Sequence, residues 1–314
     1  MNLNEKVKHE LCKIKYEQGC CKLASLSSFV RTAGSIIAED NKYGFSVSTN
    51  SITAEYYAEI TQELYGVHTV FNIGGKSAIS GFTVLENDSL SILMDLGIVK
   101  ITGEGITIAL EPDEYLVENE CCKLAYVRGA FLGGGSLTVP DVNSKKGRTG
   151  YHLEFVFSKY LTAQHFSSLL GELGFFPKLI ERKNSFIVYF KQHEEIKDLL
   201  AYMGANSAVF EFSDLVIMRD VKNNTNRITN CEISNVNKQV EASLKQCNAI
   251  KLIAETIGLE ALSPELEKTA KARLKYSDYP LSDLADMLNI SKSCLNHRLR
   301  KIMAIYAEIS TEDS

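Results

Sequence analysis

A chain of 314 residues, 45% apolar and 23% charged, has material for two or three folded domains. No apolar run approaches the ~18 residues a membrane helix requires, and the N-terminus is charged and amphipathic without a secretion core. A cytoplasmic protein is the expectation. The net charge of −5 conceals an asymmetry: residues 268–302 hold eight Lys or Arg against three Asp, a balance of +5, which leaves −10 for the remainder. An acidic body with one basic segment points to nucleic acid held by that segment.

In chain order, residues 4–15 have helical spacing, with Leu3, Val7, Leu11 and Ile14 on one side. A break at residues 17–19 precedes CCKLASLSSFVRTAGSI, which begins at Cys20. The same stretch returns at Cys121 as CCKLAYVRGAFLGGGSL, offset by 101 residues without a gap and identical at seven of 17 positions. A fixed long offset marks a duplicated unit, and the two stretches are expected to face each other as helices at a seam. Strands at 35–38 and 44–49, a helix at 53–65, strands at 67–73 and 78–85 and a helix at 89–96 follow the first copy, which Gly97 closes. The second copy repeats this order: strands at 137–142 and 151–157, a helix at 162–173, strands at 178–181 and 185–190, and a helix at 194–203 closed by Gly204. Short strands at 99–101 and 106–110 and an acidic stretch at 111–120 join the copies.

The stretch at 221–237 is crowded with Asn, Thr and Ser, as a linker is, and from Lys238 the spacing becomes helical. Ser263-Pro264-Glu265 starts a further helix. In PLSDLADMLNISKSCLNHRLRKI, Leu281, Leu284, Ala285 and Leu288 form one face of a short helix with Ser282 as its cap. A turn at 289–291 leads to a second helix anchored by Leu295, Leu299 and Ile302. This is helix-turn-helix grammar. Ser293, Asn296, His297, Arg300 and Lys301 fall on the outer half of the second helix, where Arg reads guanine and Asn reads adenine. Lys292 and Arg298 lie at its flanks and suit phosphates.

The eight cysteines (12, 20, 21, 121, 122, 231, 247 and 294) make no CxxC pair, and six histidines are scattered. The expectation is reduced thiols, mostly buried as small hydrophobes, with no metal and no cofactor. Gly75-Lys76-Ser77 lacks the first glycine of a phosphate loop and fits a hairpin turn.

The duplicated stretch resembles the LAGLIDADG motif of homing endonucleases, matched by residues 127–136 in the second copy and 26–35 in the first. The resemblance implies two motif helices packed at a pseudo-twofold axis, brought close by Ser28 and Thr32 on one and Gly129 and Gly133 on the other. It also implies an α+β fold of duplicated αββαββα units whose strands straddle DNA. The family's catalytic carboxylates would fall at Ala33 and Gly134, which cannot ligand a metal, while Glu39, Asp40 and Asp141 lie too far along. No nuclease activity is expected. Lys145, Lys146 and Arg148, and Arg182 and Lys183, occupy hairpins that touch DNA in active members and are expected as auxiliary DNA contacts.

The combination of a degenerate duplicated body with a C-terminal all-α helix-turn-helix is similar to the WhiA family, over nearly the whole chain. That resemblance implies a LAGLIDADG-like domain over 1–222 (halves about 20–105 and 121–219), a linker over 223–236 and a DNA-binding domain over 237–314. It implies a nucleoid-associated transcriptional regulator linked to cell division, chromosome segregation or sporulation. Its expected partners are double-stranded DNA and other regulatory proteins, and the duplication makes one chain its own pseudo-dimer, hence a monomer. A protein-interaction scaffold with incidental DNA binding, and a residual metal-dependent nuclease, are the rival readings.

Overall fold

A computed structural model describes residues 2–39, 42–75, 78–103, 105–140 and 150–312. The chain forms two compact units, Met1–Arg219 and Asp220–Ser314. Among the described residues no helix is long and apolar enough to cross a membrane.

The first unit opens with α1 (Leu3–Leu11), started by a reciprocal capping box between Asn2 and Glu5. Its Leu3, Val7 and Leu11 are buried, and it ends short of the expected Lys15. The first copy then runs α2 (Gly19–Ala33), β1 (Gly34–Glu39), β2 (Lys42–Ser48), α3 (Ser51–Tyr65), β3 (Val70–Ile73), β4 (Ile79–Val84) and α4 (Ser89–Asp95). A hairpin of β5 (Val99–Thr102) and β6 (Gly105–Ile108) follows. The second copy runs α5 (Glu120–Gly134), β7 (Gly135–Thr138), β8 (His152–Phe157), α6 (Tyr160–Glu172), β9 (Lys178–Arg182), β10 (Ser185–Phe190) and α7 (His193–Met203).

The sheets have the same antiparallel order, β1-β2-β4-β3 and β7-β8-β10-β9, so the duplication extends from sequence to topology. Each sheet buries one face. In β8, Leu153, Phe155 and Phe157 point into the core while His152, Glu154 and Val156 alternate outward. Aromatic rings fill the space behind the strands: Phe29 stacks on Tyr57 at 3.8 Å, and Phe131 meets Phe155 edge-on at 5.9 Å. The β9–β10 turn places Lys183 and Asn184 at positive φ, 49° and 62°, between the paired Arg182 and Ser185, as a two-residue primed turn demands.

α8 (Asn206–Thr256) is a single helix of 51 residues. The Glu10 carboxylate caps its start, accepting from Ser207 N at 2.8 Å and Ala208 N at 3.1 Å. The stretch at 223–236, expected as a linker, lies inside this helix, a correction to the reading of its Asn-rich composition. Its residues are all exposed.

In the second unit the later part of α8 meets α9 (Pro264–Lys275), α10 (Leu281–Met287) and α11 (Lys292–Glu312). Their core is Ile250, Ile253, Leu262, Leu266, Ala270, Leu284, Ala285, Leu295, Leu299 and Ile302. Arg273 is buried within it, its Nε donating to Gln246 Oε1 at 2.9 Å and its Nη1 to Tyr279 O at 2.8 Å. The arginine thereby ties α8 to the chain entering α10.

Candidate nucleic-acid interface and the paired-helix seam

The turn between α10 and α11 has a physical basis in a few residues. Asn289 adopts φ 55°, Ile290 N donates to Ala285 O at 3.0 Å, and the Ser291 hydroxyl accepts from Cys294 N at 3.1 Å to cap α11. Ser282, expected to cap α10, does not: that helix starts from Pro280, and the Ser282 hydroxyl donates to Asp283 at 2.9 Å instead. Leu295, Leu299 and Ile302 are buried, which turns Lys292, Ser293, His297, Arg300 and Lys301 outward, all exposed. Asn296 is half-buried at the edge of this face. Arg298 departs from its expected place among the phosphate contacts. Its guanidinium turns toward α9 and pairs with Glu265 at 3.2 Å, leaving the side chain 17% exposed. Asp283 and Asp286 are exposed on α10.

In the first unit α2 and α5 pack against each other along their lengths, and the expected small residues hold the closest approach. A Cβ on Gly129 would overlap Ser25 O and stand 3.1 Å from Ser28 Cβ. One on Gly133 would overlap the Thr32 hydroxyl and stand 3.0 Å from Phe29 O. Ser28 thus faces Gly129 and Thr32 faces Gly133, each residue opposite its own duplicate. Ser27 and Arg128, also duplicates, satisfy equivalent carbonyls: Ser27 Oγ donates to Leu96 O at 2.6 Å where α4 ends, and Arg128 Nε to Met203 O at 2.8 Å where α7 ends. Arg31 binds the connector, donating to Ala109 O at 2.7 Å and Glu111 O at 3.0 Å.

Ala33 and Gly134 sit at the C-terminal ends of α2 and α5, where the carboxylates of a cutting enzyme would converge. Gly134 has no room for a longer side chain without adjustment, since its Cβ would fall 2.7 Å from Val156 O. Glu39 is exposed at the end of β1; Asp40 and Asp141 lie outside the described residues. The outward sheet faces are neutral or acidic near the seam. Thr83 and Asn72 bond to Ser46 in the first sheet, while in the second Glu154 accepts from Ser136 at 3.2 Å and pairs with His152 at 2.9 Å. Arg182 and Lys183 are exposed at the β9–β10 turn; Lys145, Lys146 and Arg148, and the Lys76–Ser77 turn, lie outside the described residues.

The N-terminal ends of the same two helices carry a group that no local spacing announces. One thiol sulfur from each of Cys20, Cys21, Cys121 and Cys122 lies within 4.8 Å of the others. Cysteines that have no metal-binding spacing along the chain are therefore gathered in pairs by helix packing. The expectation of mostly buried thiols also fails: Cys21, Cys122 and Cys247 are buried, Cys20, Cys121 and Cys231 exposed, and Cys12 and Cys294 between. Burial pushes the Cys21 thiol well up and Cys122 to about 12, while the hydrogen bond from Cys21 draws Cys121 down.

Three family models match in series: the WhiA N-terminal LAGLIDADG-like domain over residues 19–99, the WhiA LAGLIDADG-like domain over 123–222 and the WhiA C-terminal HTH domain over 225–306. The "Probable cell division protein WhiA" of Clostridium botulinum is 35% identical, covering 98% of this chain and 99% of its own. That of Clostridium tetani is 36% identical, covering 99% of both. The chain belongs to the WhiA family. The crystal structure of full-length DUF199/WhiA from Thermotoga maritima has the same fold at 22% identity, with a TM-score of 0.57 over 98% of this chain and 99% of that one. The two LAGLIDADG-like models of the WhiA family fall on the two copies, and its HTH model falls on the later part of α8 with α9–α11.

Proposed function

We propose that this WhiA-family chain is a sequence-specific DNA-binding regulator acting in cell division, and that its duplicated body does not cut DNA. The observation carrying the reading is the α11 face, where Ser293, His297, Arg300 and Lys301 stand outward on a helix fixed by Leu295, Leu299 and Ile302. A helix so presented fits the major groove, with its N-terminal residues at base edges and Lys292 beside the backbone. The relatives' name, probable cell division protein, supports the biological setting. Regulation of transcription, chromosome segregation or sporulation are finer forms of the same role. Arg182 and Lys183 are auxiliary DNA contacts in this reading, subordinate because the sheet faces beside them carry Glu154 and uncharged hydroxyls.

The test is a titration on a site selected from random duplex DNA. Arg300→Ala is expected to cost ~1–3 kcal/mol on that site and to relax the preference at one base position. Lys292→Ala should weaken all sequences alike and lower the salt slope by about one. Unchanged affinity in both variants would move readout away from α11. For the body, supercoiled plasmid with magnesium or manganese is expected to stay uncut; linear product lost on Glu39→Gln would overturn that part.

A further inference from the structure

The seam has two ends, and only one of them is the end at which a homing endonuclease would hold metal. At the other, Cys20 and Cys21 from α2 meet Cys121 and Cys122 from α5, with the four sulfurs mutually within 4.8 Å. We propose that these four thiolates form a site for one zinc ion, lying on the pseudo-twofold axis and clasping the two halves of the body.

The geometry suits a single tetrahedral ion. Zinc–sulfur bonds of ~2.3 Å place the four sulfurs of a tetrahedron about 3.8 Å apart. Cys121 and Cys122 already stand at 4.0 Å, and the largest separation of 4.8 Å closes with small thiol rotations. A tetrahedron has twofold axes through opposite edges, so two adjacent ligands from each duplicate are the arrangement a pseudo-twofold axis provides. An iron–sulfur cluster needs its thiolates held apart around a core of several irons and sulfides, and this spacing is too tight for one.

The electrostatics also suit it. Each pair occupies the second and third residues of its helix, and the side chains of the caps Gln18 and Asn119 accept no backbone amide of the first turn. The positive dipole ends of two helices therefore lie beside the sulfurs and favour the negative charge of a metal-bound set. Gln18 Oε1 accepts from the exposed thiol of each copy, Cys20 at 3.5 Å and Cys121 at 3.7 Å, so both pairs share one small volume. Lys22 and Lys123 follow the pairs at equivalent positions, held by Glu63 at 2.7 Å and Glu172 at 2.5 Å. The exposed Cys20 and Cys121 give an incoming ion access, and the buried Cys21 and Cys122 receive it. Binding one divalent ion releases a proton from each of the four thiols, so the loaded site carries two negative charges beside those helix starts.

The experiment uses the full chain purified under reductant, with metal measured by mass spectrometry and the metal-free form titrated with cobalt(II). One zinc per chain is expected, together with the intense visible bands of tetrahedral cobalt and near-ultraviolet sulfur-to-cobalt charge transfer. The C20S/C121S double variant, changed only at exposed thiols, is expected to lose the stoichiometric zinc while keeping its far-ultraviolet circular dichroism; C231S and C294S should retain it. In the unaltered chain, zinc should protect these four thiols from alkylation, a readout independent of any variant's folding. Absence of zinc and of the cobalt spectrum would overturn the proposal. So would zinc retained by the double variant, or a cross-seam disulfide in the reduced preparation.

Discussion

Two pairs of packed helices define this molecule, and they are built to opposite specifications. In α2 and α5 the backbones approach until side chains vanish at Gly129 and Gly133, and the partner's Ser28 and Thr32 fill what remains. In α10 and α11 one small residue, Ala285, eases the contact, and the charged outer face of α11 is left to solvent. The first pair is packed backbone to backbone along its middle; the second packs through Leu284, Ala285, Leu295, Leu299 and Ile302 and leaves Lys292, Ser293, His297, Arg300 and Lys301 exposed. On the proposed reading, architecture and recognition fall to different helices.

The contrast can be broken at several points. The largest effect is expected at the seam: Gly129→Val forces a branched side chain against Ser25 O and should destabilise the first unit by about 3 kcal/mol or more, read as a lowered melting transition. An unshifted transition would mean that the helices can part at little cost. Next comes Arg273→Ala, which strips partners from Gln246 and Tyr279 O inside the second unit and should cost about 2–4 kcal/mol. If DNA affinity fell without loss of stability, Arg273 would belong to recognition rather than to the frame. The smallest effect sharpens the boundary between the two roles. Arg298→Ala removes an ion pair with a largely exposed Glu265 and should change stability by at most ~1 kcal/mol, with less effect on DNA affinity than Lys292→Ala.

Much of this was readable from residue order because its cause is local or periodic. The 101-residue offset marks the duplication, and the identical sheet orders follow from it. The buried faces of α10 and α11 follow from leucine spacing. What escaped has physical reasons. The stretch at 223–236 is rich in residues that favour turns, yet it continues a helix that is well anchored on both sides of it. Ser282 has a capping residue's chemistry, but the N-cap falls two residues earlier, at Pro280. Arg298 falls at the flank on a helical wheel, which contains no neighbouring Glu265. The thiol cluster is the largest omission, because adjacent cysteines 101 residues apart have no metal-binding spacing until two helices are laid together. The signal was present in the offset itself: a residue type duplicated on a symmetry axis meets its copy.

The pairing of Ser28 with Gly129 and of Thr32 with Gly133 also bears on ancestry. A homodimer of the first half would set each hydroxyl residue against itself where space for only one exists. A homodimer of the second would set glycine against glycine and leave gaps. Each half has become the mould of the other at the seam, and a symmetric pair of either would have to repack it.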